Sequence, residues 1–335
     1  MPTEALWYHT TDDHTVRCKL CPHACIIKEG EKGICRVRKN DSGKLLTDVY
    51  GFVSAMNLDP IEKKPLYHYY PGSSVLSIGS YGCNLHCSFC QNSSISQSEA
   101  DNSRQKQYFT PEQLIALAMN QPGNLGIAFT YNEPIVYYEY MIDTARMAKK
   151  AGLKTIMVTN GFINPEPLDE LLGFTDAFSV DLKAFSEEFY RKVTSSRLKP
   201  VLEALRQIRK SGKHLEIVNL LIPGLNDDEP AFTEMVKWIA AELGKETVFH
   251  ISRYFPQYKL TTVATSPESI RKMESIARRH LTWVYTGNMR NETNDTYCIV
   301  CNNLLITRFL YNIHTPGLNS DGKCSVCGNY FHKKT

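Results

Sequence analysis

Cys83, Cys87 and Cys90 stand at C-x-x-x-C-x-x-C spacing in the stretch Gly82-Cys83-Asn84-Leu85-His86-Cys87-Ser88-Phe89-Cys90-Gln91-Asn92, directly after an apolar run. Three thiolates on one short loop can hold three irons of a four-iron four-sulfur cluster, leaving the fourth iron open to a non-protein ligand. An open iron is a place for chemistry. A zinc loop or a chance group of buried cysteines is the plainer alternative, but zinc usually takes a fourth protein ligand.

The other eight cysteines of the eleven fall into two groups of four. Cys18, Cys21, Cys25 and Cys35 form C-x2-C-x3-C-x9-C in a basic, Gly-punctuated segment. A structural zinc site folding a segment too short for its own core is the first reading. An auxiliary iron-sulfur cluster and scattered free cysteines are the others. Near the other end, Cys298-x2-Cys301 and Cys324-x2-Cys327 are separated by 22 residues. Two such pairs can close a tetrahedral site with no open position, so zinc is the first choice there, with rubredoxin-like iron or another cluster behind it.

Elements must hold the Cys83 loop in place. Apolar runs at 75–79, 126–129, 155–158, 177–180, 215–221 and 247–251 read as buried strands, with a seventh candidate at 282–285. Helices alternate with them. Thr110-Pro111-Glu112-Gln113 is a capping-box start with proline at the first helical position. Further helices run from Ile135, Pro200 and Pro230 to near Gly152, Gly212 and Gly244. Six βα units follow, and the cluster loop sits after the first strand, at the strand end where α/β barrels build active sites. Between 45 and 70 the chain reads as strand-like pieces and loop, broken by Pro60, Pro65 and Pro71. The aromatic run Tyr67, His68, Tyr69, Tyr70 reads as junction packing more readily than as a substrate mouth.

With Phe89 just before the last cysteine, Cys83, Cys87 and Cys90 resemble the cluster motif of the radical S-adenosylmethionine (SAM) superfamily. The Gly-Cys-Asn-Leu-x-Cys-x-Phe-Cys-Gln-Asn wording is similar to activases of glycyl-radical enzymes, the pyruvate formate-lyase activating type. The likeness to the radical SAM enzyme of the AmmeMemoRadiSam system runs over nearly the whole chain. The resemblance implies an α/β fold, a partial (β/α)6-type barrel with an N-terminal Cys-rich segment and a C-terminal zinc-ribbon-like unit. The expected divisions are an extension at 1–72, the barrel at 73–288 and a metal-binding unit at 289–335, entered through an Asn-rich linker at 288–295. It further implies a 4Fe-4S cluster and S-adenosyl-L-methionine as cofactors, with zinc in addition. Relatives with a similar Cys-x-Leu-Cys-Pro-His-x-Cys opening argue for a metal at the N-terminal group without naming it.

The same resemblance nominates cofactor contacts at the strand ends. Where the superfamily has Gly-Gly-Glu against the methionine amine of SAM, this chain has Tyr131-Asn132-Glu133-Pro134, so Glu133 and its neighbouring backbone are carried over. A carboxylate suits an ammonium at close range, although it also suits a helix N-terminus before Pro134. Asn160, in Thr159-Asn160-Gly161-Phe162, and the pair Asp181 and Lys183 resemble activase segments that contact SAM. A carboxylate can accept ribose hydroxyls and a lysine can pair with the methionine carboxylate, while a plain surface salt bridge is the bland reading. His250 and Arg253 are substrate-side candidates, with a core histidine as the alternative. No catalytic residue beyond SAM and cluster binding is nominated.

The function implied is an enzyme that reductively cleaves SAM to a 5'-deoxyadenosyl radical and abstracts hydrogen from substrate, with reduced flavodoxin or ferredoxin as donor. An activase acting on a partner protein is one alternative, and a non-enzymatic metal-dependent scaffold is another. Modification of a small molecule or protein within the AmmeMemoRadiSam system is preferred, because two extra cysteine groups exceed what a minimal activase needs. A formal charge of +3 over 335 residues, without a concentrated basic run, gives no footprint for nucleic acid. Residues 1–13 lack a basic and apolar leader, and no apolar run approaches a membrane span, so a soluble cytoplasmic protein with reduced thiols is expected.

Overall fold

The computed structural model describes residues 3–99, 107–289 and 293–331. The linker expected at 288–295 lies partly outside them. One eight-stranded sheet carries the fold, and its strands lie side by side in chain order. They are β1 Ala55–Pro60, β2 Ser74–Gly79, β3 Asn124–Phe129, β4 Lys154–Thr159, β5 Ala177–Asp181, β6 His214–Leu221, β7 Val248–Arg253 and β8 Val284–Gly287. From β2 to β8 every pairing is parallel, whereas β1 runs antiparallel to β2. The edge strands β1 and β8 are not paired with each other, so the barrel is open.

The helices on the outer face are α1 Pro111–Met119, α2 Tyr138–Lys150, α3 Pro165–Leu172, α4 Leu198–Lys210, α5 Glu229–Trp238 and α6 Pro267–Arg278. At α1 the expected capping box forms in full: the Thr110 hydroxyl accepts from Gln113 N and the Gln113 side chain accepts from Thr110 N. Asp228 and Ser266 cap α5 and α6 through their side chains, accepting from Ala231 N and Ser269 N, each ahead of a first-turn proline. Helices α3 and α6 were not expected, although Asn164-Pro165 and Ser266-Pro267 are start signals of the same kind. The sheet extends past the six expected strands at both ends. Residues 284–287 form the seventh parallel strand, and Ala55–Pro60 adds an antiparallel edge from within the range assigned to the extension, its proline lying at the strand's last position.

Two apolar layers flank the sheet. The larger lies under the helices and includes Ile127, Phe129, Tyr138, Met157, Phe178, Ile217 and Phe249. A smaller one fills the sheet's inner face at the strand starts, where Val75, Ala128, Ile156 and Ala177 pack on Ile61, Leu66 and Tyr69. Close strand pairing demands Gly126, since a Cβ there would lie 1.9 Å from the Lys154 carbonyl oxygen. The N-terminal segment forms two small three-stranded sheets whose core residues Val16, Ile27, Val37 and Leu45 merge with the larger layer. By contrast, the C-terminal unit, Thr296–Tyr297, Leu304–Phe309 and Asn312–His314, packs a core of its own around Leu305 and Ile306.

Candidate active site

The loop after β2 carries Cys83, Cys87 and Cys90, and its backbone is fastened from three sides. Asn132 accepts from Ser80 N at 2.9 Å and donates to the Gly82 carbonyl at 2.8 Å, clasping the loop's entry. Asn84 donates to the Phe162 carbonyl at 2.8 Å and accepts from Asn160 Nδ2 at 2.9 Å, tying the loop to the end of β4. His86 N and Ser88 N donate to the Thr194 and Val193 carbonyls. Gly82 has φ +81°, and a Cβ there would meet the Cys35 carbonyl oxygen at 2.5 Å. Only glycine lets the N-terminal segment approach the loop so closely.

The thiols are supplied with donors. Leu85 N lies 3.3 Å from Cys83 Sγ, and Ser96 Oγ lies 3.1 Å from Cys90 Sγ. Burial pushes the Cys87 thiol up to about 12, with the Lys183 ammonium pulling it down. A desolvated group of thiolates is stable only beside positive charge, and a metal cluster supplies it.

Strand ends bring the other nominated residues to the same rim. Glu133 is 3% exposed and accepts from Thr159 Oγ1 at 2.7 Å, Asn160 N at 2.8 Å and Ile135 N at 3.4 Å. It also caps the short 3-10 helix Pro134–Tyr137, the helix-terminus role that its position before Pro134 allowed. Burial pushes its carboxyl up to about 7 against the pull of those hydrogen bonds. Lys183 Nζ pairs with Asp181 Oδ2 at 2.8 Å and sits 5.8 Å from the centre of the Phe89 ring, inside the cysteine loop. Burial opposes its charge, but Asp181 and then Cys87 hold its pKa above the ordinary value.

Tyr131 stands apart from that group. Its hydroxyl bonds Asp59 Oδ2 at 2.5 Å, with Lys64 Nζ 4.5 Å from its ring, so its side chain braces β1 while its carbonyl accepts from Asn92 at 2.6 Å. His250 follows the core-histidine reading: its Nε2 meets Glu216 Oε2 at 2.6 Å, and Glu216 also binds His214 and the backbone N–H groups of Tyr67 and His68. Arg253 donates to the Thr265 carbonyl. The aromatic run forms a junction, as Tyr67 packs on His250 and Tyr285, His68 packs on Phe331, and Arg308 of the C-terminal unit donates to the Tyr67 carbonyl at 2.7 Å.

Several residues of the site were not singled out from the sequence. Asn84 lies within the cysteine wording, and His23 lies between Cys21 and Cys25; its Nε2 is 2.7 Å from the Asn84 carbonyl oxygen. At the far end, the C-terminal cysteines converge. Sγ atoms of Cys298 and Cys327, and of Cys301 and Cys324, are 3.6 Å apart, and all four lie within 4.8 Å of one another. That spacing is what four thiolates at about 2.3 Å from one tetrahedral ion require. Among the described residues no helix is long and apolar enough to cross a membrane.

The Radical SAM superfamily profile matches residues 77–238. An uncharacterized protein of Methanocaldococcus jannaschii is 42% identical over 331 residues, 97% of each chain. The pyruvate formate-lyase-activating enzyme of Listeria monocytogenes is 25% identical over 166 residues, spanning 47% of this chain and 66% of its own. In fold, a radical SAM methyltransferase from Sphaerobacter thermophilus superposes with a TM-score of 0.52 at 17% identity, over 67% of this chain and 68% of that one.

Proposed function

The chain belongs to the radical SAM superfamily, and from that premise we propose that it cleaves SAM at an iron-sulfur cluster on Cys83, Cys87 and Cys90 and abstracts hydrogen from a substrate against the inner face of the sheet. The observation that carries this reading is the convergence of the clasped, buried cysteine loop with Lys183 and Asn160 at one rim. The donor set fits: three thiolates with N–H and O–H donors nearby, and no fourth cysteine in the loop. A cluster bound there supplies the electron that splits SAM into methionine and a 5'-deoxyadenosyl radical.

The chain's own residues bind and orient. The Lys183 ammonium suits the methionine carboxylate, and Asp181, 40% exposed at its side chain, suits ribose hydroxyls. Glu133 already accepts three hydrogen bonds of the roughly four a carboxylate can take, leaving room for one ammonium donor. A cation arriving there favours the charged carboxylate and so draws its pKa back down. Asn132, Asn84 and Asn160 hold the loop rigid, and the floor built from Tyr67, Glu216 and His250 closes the inner face to water from below.

The C-terminal four thiols take zinc in this reading, supported by their tetrahedral spacing. The electron donor is reduced flavodoxin or ferredoxin, the setting is the cytoplasm, and the substrate belongs to the AmmeMemoRadiSam system. The likeness to activating enzymes favours, as a second reading, hydrogen abstraction from a glycine of a partner protein. Under anaerobic dithionite, the Cys83/Cys87/Cys90→Ala variant is expected to lose all 5'-deoxyadenosine production. Undiminished production sinks the proposal, and full partner binding without SAM turnover in the parent protein would instead make it a scaffold.

A further inference from the structure

The N-terminal cysteines differ from the C-terminal ones in a way that bears on what they bind. Cys18, Cys21, Cys25 and Cys35 are free thiols and line one cavity together with Arg38 and Asn84. Among the described residues, the C-terminal four form a group whose ligand atoms all lie within 4.8 Å, and no three of the N-terminal thiols meet that spacing. One tetrahedral ion needs its sulfurs that close together. Thiolates of a four-iron cluster each sit on a different iron, so they stand farther apart around a larger body.

A second observation comes from Arg38, which is 1% exposed. It donates through Nη1 to the Leu6 carbonyl at 2.9 Å and through Nη2 to Glu139, while its Nε–H has no partner among the described residues. It lines the same cavity as Cys18, Cys21, Cys25 and Cys35. An orphaned N–H beside a ring of thiols has an acceptor if those thiols are bound as thiolates with bridging sulfides. Its charge is already paired with Glu139, so what Arg38 adds at the thiols is this hydrogen-bond donor.

We propose that Cys18, Cys21, Cys25 and Cys35 hold an auxiliary four-iron four-sulfur cluster, with Arg38 Nε donating to one of its sulfurs. With all four irons ligated by protein, it binds neither SAM nor substrate and exchanges single electrons. It would lie beside the Cys83 loop, since the Cys35 carbonyl touches the space over Gly82 and His23 reaches the Asn84 carbonyl. The proposal stands whether or not the Cys83 centre cleaves SAM.

The test uses the full chain carrying Cys83/Cys87/Cys90→Ala, which leaves the N-terminal group intact. After anaerobic reconstitution with iron and sulfide, four irons and four sulfides per chain are expected. Dithionite should add one electron per chain, giving a reduced-cluster paramagnetic signal that SAM leaves unchanged. In the parent protein iron should double to about eight per chain, a count that separates this result from any failure of SAM cleavage. Arg38→Met in the same background should shift the reduction midpoint, because the hydrogen bond on the sulfurs is gone and Glu139 is left without its cation. A variant that holds no iron, or a second zinc in its place, overturns the proposal.

Discussion

Two groups of four cysteines use the same donor atom and the same number of ligands, yet they are embedded in opposite ways. The C-terminal four sit on two knuckles with exposed neighbours Ile299, Val300 and Val326, over a private core of Cys298, Leu305, Ile306 and Cys324. A core that small stabilises little by itself, so a metal held by the four thiols would make binding and local folding there one event. The N-terminal four instead line a cavity whose walls, Leu20, Ile27 and Val136 among them, are part of the main core. Their segment folds as the barrel's flank. The lesson is that a cysteine count does not set a site's job; the packing behind it does.

The largest expected effect would break or keep that contrast. In the Cys298/Cys324→Ser double variant the structure of 293–331 should be lost, a local change on the order of 10 kcal/mol, seen as rapid limited proteolysis of the tail. The barrel's unfolding free energy in urea should fall by only about 1–3 kcal/mol, since the tail is joined to it by a few contacts such as Arg308 on Tyr67 and Tyr285 on Thr296. A barrel that unfolds together with its tail would erase the distinction.

Next in size is Arg38→Met. It strands the Glu139 carboxylate, 5% exposed, without its cation and should destabilise the whole protein by about 3–5 kcal/mol in urea. Arg38→Met/Glu139→Leu should recover most of that loss, because neither charge is then left unpaired. Equal losses in the single and double variants would mean that Arg38 acts through packing alone.

Gly82→Ala sharpens the comparison by probing the seam between the N-terminal segment and the cysteine loop. The left-handed φ and the clash with the Cys35 carbonyl should cost roughly 2–4 kcal/mol, whereas Gly328→Ala, with left-handed φ but open space around it, should cost about 1–2 kcal/mol and only in the tail. The smallest effect is expected for His23→Ala. Removing its bond to the Asn84 carbonyl should lower global stability by about 1 kcal/mol, read from the same urea curve. No change would place His23 outside the seam.

Much of this was legible in the chain. Apolar runs located six of the parallel strands and offered the seventh as a candidate, and Thr110 to Gln113 announced a helix start down to its reciprocal hydrogen bonds. The cysteine spacing marked the loop after β2. Helices α3 and α6 escaped although their caps were there to read: α3 has only eight residues, while α6 carries Ile270, Met273, Ile276 and Ala277 at helical spacing and was legible. Strand β1 was read only as one of the strand-like pieces between 45 and 70: Ala55–Pro60 is interrupted by Asn57 and Asp59 and ends in proline, and its neighbour β2 makes it a strand.

By itself, then, the sequence determined the βα alternation, the three-cysteine loop at a strand end and the existence of two further thiol groups. These are local properties, set by periodicity, capping chemistry and ligand spacing. Tertiary structure alone decided that Arg38, Glu139, His23 and Asn84 fasten the N-terminal segment and the cysteine loop, since their partners lie far along the chain and no local pattern encodes them. It also decided that one thiol group closes on itself while the other opens around a cavity. Ligand identity is written in residue spacing, but the separation of the sulfurs depends on which core the backbone behind them joins.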